Sequence, residues 1–379
     1  MTDWRRLFRV TGVNSVVGIL PLLAGVLTAL ILIAILLNTE GFTMRDVWDA
    51  LYDGAWETDG KKLRVLINWM PLMLCSTGLL LTFTAGLWNI GIEGQLTMGA
   101  LGAAAVALFV RHDSKTVQLG AEIGLACIAG AGWGLLAGIL KTRGGVNEIF
   151  GGVALNFISA LFSAFLISGP WAPERGGTGS RTEAFDEFTL LPSRIIDRSH
   201  LSNTAVALTV GGFIVVALIL YFSRFGLQLK AIGKSENSAR ALGIPTERNL
   251  WLAMLLCGGL AGLGGAIKVL HPPIGQLQQN SSGGIGFLAL LVVLLASIRP
   301  WLVPIIAFVF AFLATGGQRV ESSLQIDAAL VNVLQGVLVL AVLLFDGIRQ
   351  RIQAEQEKRA VAAQAARRAA EEELKVKSS

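Results

Sequence analysis

Long apolar runs alternate with short polar breaks along almost the whole chain. Residues 16–37, 66–87, 94–110, 119–140, 149–167, 204–222, 250–270, 285–298, 301–314 and 328–345 are dominated by Leu, Ile, Val, Ala, Phe and Gly. A helix needs about 20 such residues to cross a bilayer, and helices satisfy their own backbone hydrogen bonds in lipid. The pattern predicts an all-α polytopic membrane protein with about ten hydrophobic segments. One junction breaks the pattern: "GLWNIGIEGQLTMG", residues 86–99, sets Asn89, Glu93, Gln95 and four glycines between two apolar runs.

Composition agrees with the pattern. Of 379 residues, 53% are hydrophobic and 15% charged, against about a quarter charged in soluble domains. The basic start at residues 1–10 leads into an apolar run too long for a signal peptide, so it reads as a first span. Cys75, Cys127 and Cys257 are far apart and lie in apolar runs, as buried free thiols do, and His112, His200 and His271 are scattered. No metal site is expected. The net charge of +5 fits basic cytoplasmic segments and does not call for nucleic acid.

With both termini in the cytoplasm the spans alternate consistently. The interior segments 1–15, 141–146, 224–249 and 299–300 then carry eleven Lys and Arg in about fifty residues, as the positive-inside tendency favours. Residues 1–346 form the transmembrane domain, with an exterior loop at 169–203, and residues 347–379 form a charged cytoplasmic tail. Residues 38–62 are predicted to hold a short surface helix. Gly130, Gly134 and Gly138, and Gly258 and Gly262, recur every fourth residue, a spacing that lets helices approach closely in lipid.

Glycine disfavours helix by about 1 kcal/mol relative to Ala, so residues 86–94 read as a broken helix with a new helix starting near Gly94. A charged acid at the bilayer centre costs about 2.5–3.5 kcal/mol on insertion scales. Glu93 therefore either caps a helix amino terminus, lines a polar pathway with Asn89 and Gln95, or does both. Trp88 stacks beside the break or anchors at the interface. Asn156 lies within its span, and Asn332 and Gln335 share a helix face three residues apart. Each of these amides either bonds a neighbouring helix or lines a cavity suited to an uncharged solute bearing hydroxyls or a base.

"AIGKS" at 231–235 ends like a phosphate-binding loop, but Gln228 stands where the P-loop pattern needs glycine. No ATP site is expected on this chain. In the interior segment 224–249, Ser235 is placed to cap a short helix through Glu236, Ala239 and Arg240, with Gly243 ending it and Pro245 following.

Four stretches carry a resemblance: "GLWNIGIEGQLTMGALGAA", "KTRGGVNEIFGGVALNFISA", "GKSENSARALGIPTERNLWLAMLLCGGLAGLGGA" and "LVNVLQGVLVLAVLL". In this order, from about residue 66 to 346, they resemble the permease subunits of bacterial ABC importers of nucleosides and simple sugars, a group related to the branched-chain amino acid permeases. The resemblance implies a subunit in the bacterial inner membrane that performs no chemistry. It implies a second permease subunit, a different but related chain, and a cytoplasmic ATP-binding protein that carries ATP and Mg. It also implies an extracytoplasmic solute-binding protein, while this chain binds no cofactor. The coupling helix would fall on Ser235, Glu236, Ala239, Arg240 and Gly243. The solute path would be drawn from Trp88, Asn89, Glu93, Gln95, Asn156, Asn332 and Gln335. "GGIGFLALLVVLLASIRP" departs from the family pattern in being rich in Leu and Val. The competing readings are an ion-coupled secondary transporter, for which only Glu93 qualifies as a coupling acid, an ABC permease for another small solute such as branched-chain amino acids, and an intramembrane enzyme. The last lacks paired carboxylates or clustered histidines.

Overall fold

A computed structural model of the chain describes residues 41–173 and 179–325, together with positions 27, 28, 31, 32, 34, 35, 38, 336, 337, 340, 341, 344 and 347. The chain divides into two compact units, residues 1–48 with 321–379, and residues 49–320. In the first, the described positions at 27–38 and 336–347 are helical. Thr43 and Asp46 exchange backbone and side-chain hydrogen bonds, a reciprocal cap that opens helix α1, Met44–Ala55. This is the short helix expected between residues 38 and 62.

The second unit contains the helices that frame the candidate site. They are α2 (Asp59–Thr84), α3 (Ile92–Phe109), α4 (Lys115–Thr142), α5 (Glu148–Ser168), α6 (Asn203–Phe222), α7 (Arg224–Lys234), α8 (Glu236–Ala241), α9 (Thr246–Leu270) and α10 (Ile285–Leu295). A further helix, α11 (Val303–Leu324), follows. Among the described residues, seven helices are long and apolar enough to cross a membrane: α2 to α6, α9 and Pro300–Leu324. The protein is an all-α, multi-pass membrane protein. The expected ten segments are reduced by one for a physical reason. Only 11 residues of the 285–298 run are helical, rising about 16 Å, roughly half the hydrocarbon thickness. The 16–37 and 328–345 runs lie largely outside the described residues.

Burial separates the helices. Most of α2, α3 and α9 is enclosed, while α4, α5 and α6 are largely exposed and turn Phe150, Phe157, Leu161, Phe165 and Phe222 outward. An outer surface this apolar is what a helix facing lipid carries. The centre depends on glycine. A Cβ on Gly130 would overlap the carbonyl oxygen of Gly258, one on Gly258 would overlap that of Gly130, and one on Gly99 would overlap the backbone of Gly262. The four-residue glycine spacing thus lets α3, α4 and α9 pack backbone to backbone.

Residues 180–201, between α5 and α6, fold onto the bundle. Strands β1 (Arg194–Ile196) and β2 (Ser199–Leu201) form a hairpin through Asp197 and Arg198, both at positive φ, the backbone of a two-residue hairpin turn. The Asp197 carboxylate accepts the Gly60 N–H at 3.0 Å, and Ser199 Oγ donates to the Gly60 carbonyl at 2.8 Å. Upstream, the loop runs along the segment after α9. Thr182 N–H donates to Leu277 O at 3.0 Å, Phe185 N–H to Gly275 O at 2.6 Å and Leu191 N–H to Leu270 O at 3.0 Å.

Gly258→Val is expected to cost at least the 1–3 kcal/mol typical of overpacking, because the clash is with backbone. Gly132→Ala, within α4 and with nothing within 4 Å of the added Cβ, is expected to cost nothing and to gain up to about 1 kcal/mol from helix propensity. Thermal unfolding of the detergent-purified variants measures both. Equal midpoints would contradict the packing account.

Candidate functional site

Helix α2 ends at Thr84, and α3 begins at Ile92, two residues earlier than expected. Between them Gly86 takes a φ of +78°, a conformation open to glycine and strained for other residues. The backbone freed by this break is held by amides. Asn89 and Gln95 form a reciprocal pair, Asn89 Nδ2 to Gln95 Oε1 at 3.1 Å and Gln95 Nε2 to Asn89 Oδ1 at 3.0 Å. Asn89 also reaches Cys257 Sγ of α9 at 3.1 Å. From α5, Asn156 Nδ2 donates to the Ile90 carbonyl at 2.9 Å, and its Oδ1 accepts the Gly94 N–H at 2.8 Å. The structure brings Asn89, Gln95 and Asn156 together around the break, with both side-chain ends of each amide occupied. Trp88 stands apart, 47% exposed, its ring centroid 5.4 Å from that of Phe83. Asn332 and Gln335 lie outside the described residues.

Glu93 does cap a helix, but one distant in sequence. It is 8% exposed. Its Oε1 accepts the Gly284 N–H at 2.9 Å and its Oε2 the Gly286 N–H at 2.6 Å, so the carboxylate sits on the amino terminus of α10. Hydrogen bonds to a charged partner contribute about 1.5–3 kcal/mol each. Two of them, with the helix dipole, offset an insertion cost of about 2.5–3.5 kcal/mol. Gly286 is required by this contact, since a Cβ there would run into Glu93.

Sequence reasoning passed over the segment leading into α10, "GQLQQNSSGG", residues 275–284. It starts beside Phe185, whose neighbour Asp186 pairs at 2.8 Å with Arg111, just past the carboxy-terminal end of α3. It finishes on Glu93, in the first turn of α3. Helix α3 rises about 27 Å, so these ten residues travel most of its length without forming helix. Lys268 of α9 donates to the Ser282 carbonyl at 3.2 Å. The signal was present as a polar, glycine-bounded run between two apolar ones. A count of apolar spans gives such a run no place of its own.

On the segment expected to be interior, the local reading is as drawn. Ser235 ends α7 and accepts the Ser238 N–H at 3.3 Å as cap of α8. Arg240 pairs with Glu236 at 2.8 Å, Gly243 takes a φ of +79°, and Ala239 is buried against the bundle. The lysine of "AIGKS" is helical, in α7, so no phosphate-cradling loop exists there. A cavity of about 620 Å³ lies among α8, the end of α4 and the start of α9, lined by Lys141, Glu236, Arg240, Glu247 and Arg248. Its wall is fixed by Arg143, which pairs with Glu247 at 2.8 Å and lies over the Trp251 ring at 4.5 Å.

Residues 62–343 match the family described as the branched-chain amino acid transport system/permease component, and the chain belongs to that family. It is 29% identical to the glucose ABC transporter permease protein of Haloferax volcanii, over 73% of this chain and 74% of that one. Against the guanosine ABC transporter permease protein of Bacillus subtilis it is 25% identical, over 86% and 92%. A nucleoside ABC transporter permease protein of Lactococcus lactis subsp. cremoris is 26% identical, over 71% and 75%. The chain is thus a permease component of the ABC type, and its apolar helices make it an integral membrane protein.

Glu93→Ala is expected to leave the buried Gly286 N–H and the part-buried Gly284 N–H unpaired, at about 1–3 kcal/mol for the buried one. Glu93→Gln keeps one acceptor oxygen. The unfolding midpoints are expected to fall in the order wild type, Gln, Ala. An Ala variant as stable as wild type would show that the cap contributes nothing.

Proposed function

We propose that the chain is the membrane-spanning subunit of an ATP-driven importer of nucleosides or related simple sugars. It would sit in a cytoplasmic membrane with both termini inside. ATP and Mg would bind a separate cytoplasmic protein docked at α8. A second, related permease subunit would complete the path, and an exterior solute-binding protein would deliver the solute. The observation that carries this reading is family membership over residues 62–343, with relatives named for guanosine, nucleosides and glucose.

The family description also names branched-chain amino acids, and there Glu93 separates the substrate classes. The amino terminus of a half-helix is a ready site for a carboxylate. In this chain Glu93 already occupies the Gly284 and Gly286 N–H groups, which leaves the half-helix unsuited to the carboxylate of an amino acid. The same commitment speaks against a secondary transporter, which needs an acid free to take up and release its coupling ion.

Solute-stimulated ATP hydrolysis by the reconstituted complex tests the proposal. Uridine, guanosine, ribose, glucose and leucine would each be presented with the binding protein. Stimulation is expected from a nucleoside or a sugar and not from leucine. Stimulation by leucine alone would move the substrate class, and solute transport by this chain without any ATPase would overturn the importer reading. Arg240→Glu, which places like charge beside Glu236 on the exposed face of α8, is expected to reduce co-purification of the ATP-binding protein while the folded permease is retained.

A further inference from the structure

The segment from Gly275 to Gly284 has a feature that neither the family match nor the cap of α10 accounts for. Non-helical backbone alongside spanning helices persists only where protein or a water-filled cavity satisfies it. Half of that requirement is met by protein: Gly275 and Leu277 offer their carbonyls, and Gln279 its N–H, to residues 180–185 of the exterior loop. Side chains alternate across an extended chain. Leu277 is fully buried in the core with Leu101, Ala104 and Leu270, so Gln276 and Gln278 fall on the opposite side, and Asn280 follows in the turn that the Ser281 N–H closes on the Gln278 carbonyl. Gln278 and Asn280 are exposed and Gln276 is half-buried. Among the described residues, none of these three amides has a side-chain hydrogen bond. They contrast with Asn89, Gln95 and Asn156, whose amides are all taken up by the first break.

We propose that Gln276, Gln278 and Asn280 form a polar strip lining the aqueous solute path, where their amides hydrogen-bond the hydroxyls or base edges of an uncharged solute. This rests on the importer reading. A side-chain amide offers donors and an acceptor without charge, which suits a ribosyl or hexosyl solute. It also permits release, since neutral hydrogen bonds exchanged with water are individually weak. Lys268, drawn to the Ser282 carbonyl, and Glu93, on the far side of the same turn, fix the inner end of the strip. The ladder to residues 180–185 fixes the outer end, so the amides are presented from a backbone anchored at both ends.

The test uses proteoliposomes holding the complete complex, with uridine and glucose as probes. The wild type is expected to take up at least one of them. The triple variant Gln276→Ala, Gln278→Ala, Asn280→Ala is expected to raise KM for that solute about tenfold, the loss of one or two neutral hydrogen bonds, with solute-independent ATP hydrolysis unchanged. Wild-type uptake of neither probe would sink the importer reading itself. Uptake by the wild type with an unchanged KM in the variant would sink the strip alone. A second readout does not depend on the triple variant folding. Gln278→Cys and Asn280→Cys are expected to react with a charged, water-soluble thiol reagent, and the transported solute is expected to slow that reaction. Phe157→Cys, on the lipid-facing side of α5, is expected to stay unreactive. Labelling at 278 and 280 that solute leaves unaltered would contradict the assignment.

Discussion

A peptide N–H or C=O that leaves a helix inside a bilayer has no water to bond, and among the described residues two such breaks, at 85–91 and 275–284, border α3. At residues 85–91 the broken backbone is closed by protein. The Asn89–Gln95 pair, the Asn156 bridge and the contact to Cys257 occupy one another and leave no amide over. At residues 275–284 part of the backbone is bonded to residues 180–185, and the side-chain amides of Gln276, Gln278 and Asn280 are unoccupied among the described residues. Glu93 links the two breaks. It follows directly from the first and ends the second by holding the amino terminus of α10. Without that carboxylate, α10 would begin within the bundle on unpaired N–H groups.

The packing follows from the same constraint. Helices α3, α4 and α9 approach closely enough at Gly99, Gly130, Gly258 and Gly262 to hold the breaks in register. The more exposed helices α5 and α6 present aromatic and aliphatic side chains outward. Around the breaks, polar side chains meet freed backbone, and Glu93, the acid there, is committed to a helix terminus. The proposed path would recognise its solute through neutral hydrogen bonds.

Much of this was legible in the chain. The spans followed from apolar runs, the first break from its glycines, α8 from Ser235 and Gly243, and the close helix contacts from the four-residue glycine spacing. The partner of Glu93 was not legible. Its cap joins residues more than 190 positions apart, and local pattern carries no information about such a contact, so cap, pathway and both stayed open for Glu93. The second break was missed for a related reason. A polar run between apolar runs looks the same whether it lies in water outside the membrane or descends along a helix, and only the anchors at Phe185 and Glu93 tell the two apart.

Hydrogen–deuterium exchange on the assembled complex tests the contrast between the two breaks most directly, since both are non-helical and each is reported by its own peptides. Amides of residues 87–95 are predicted to exchange slowly, closed off by Asn89, Gln95 and Asn156. Those of Asn280 and Gly283, both exposed, are predicted to exchange fast, facing water. Fast exchange at the first break with protection at the second would contradict the account, because the water-filled path would then run beside Asn89 and not beside Asn280.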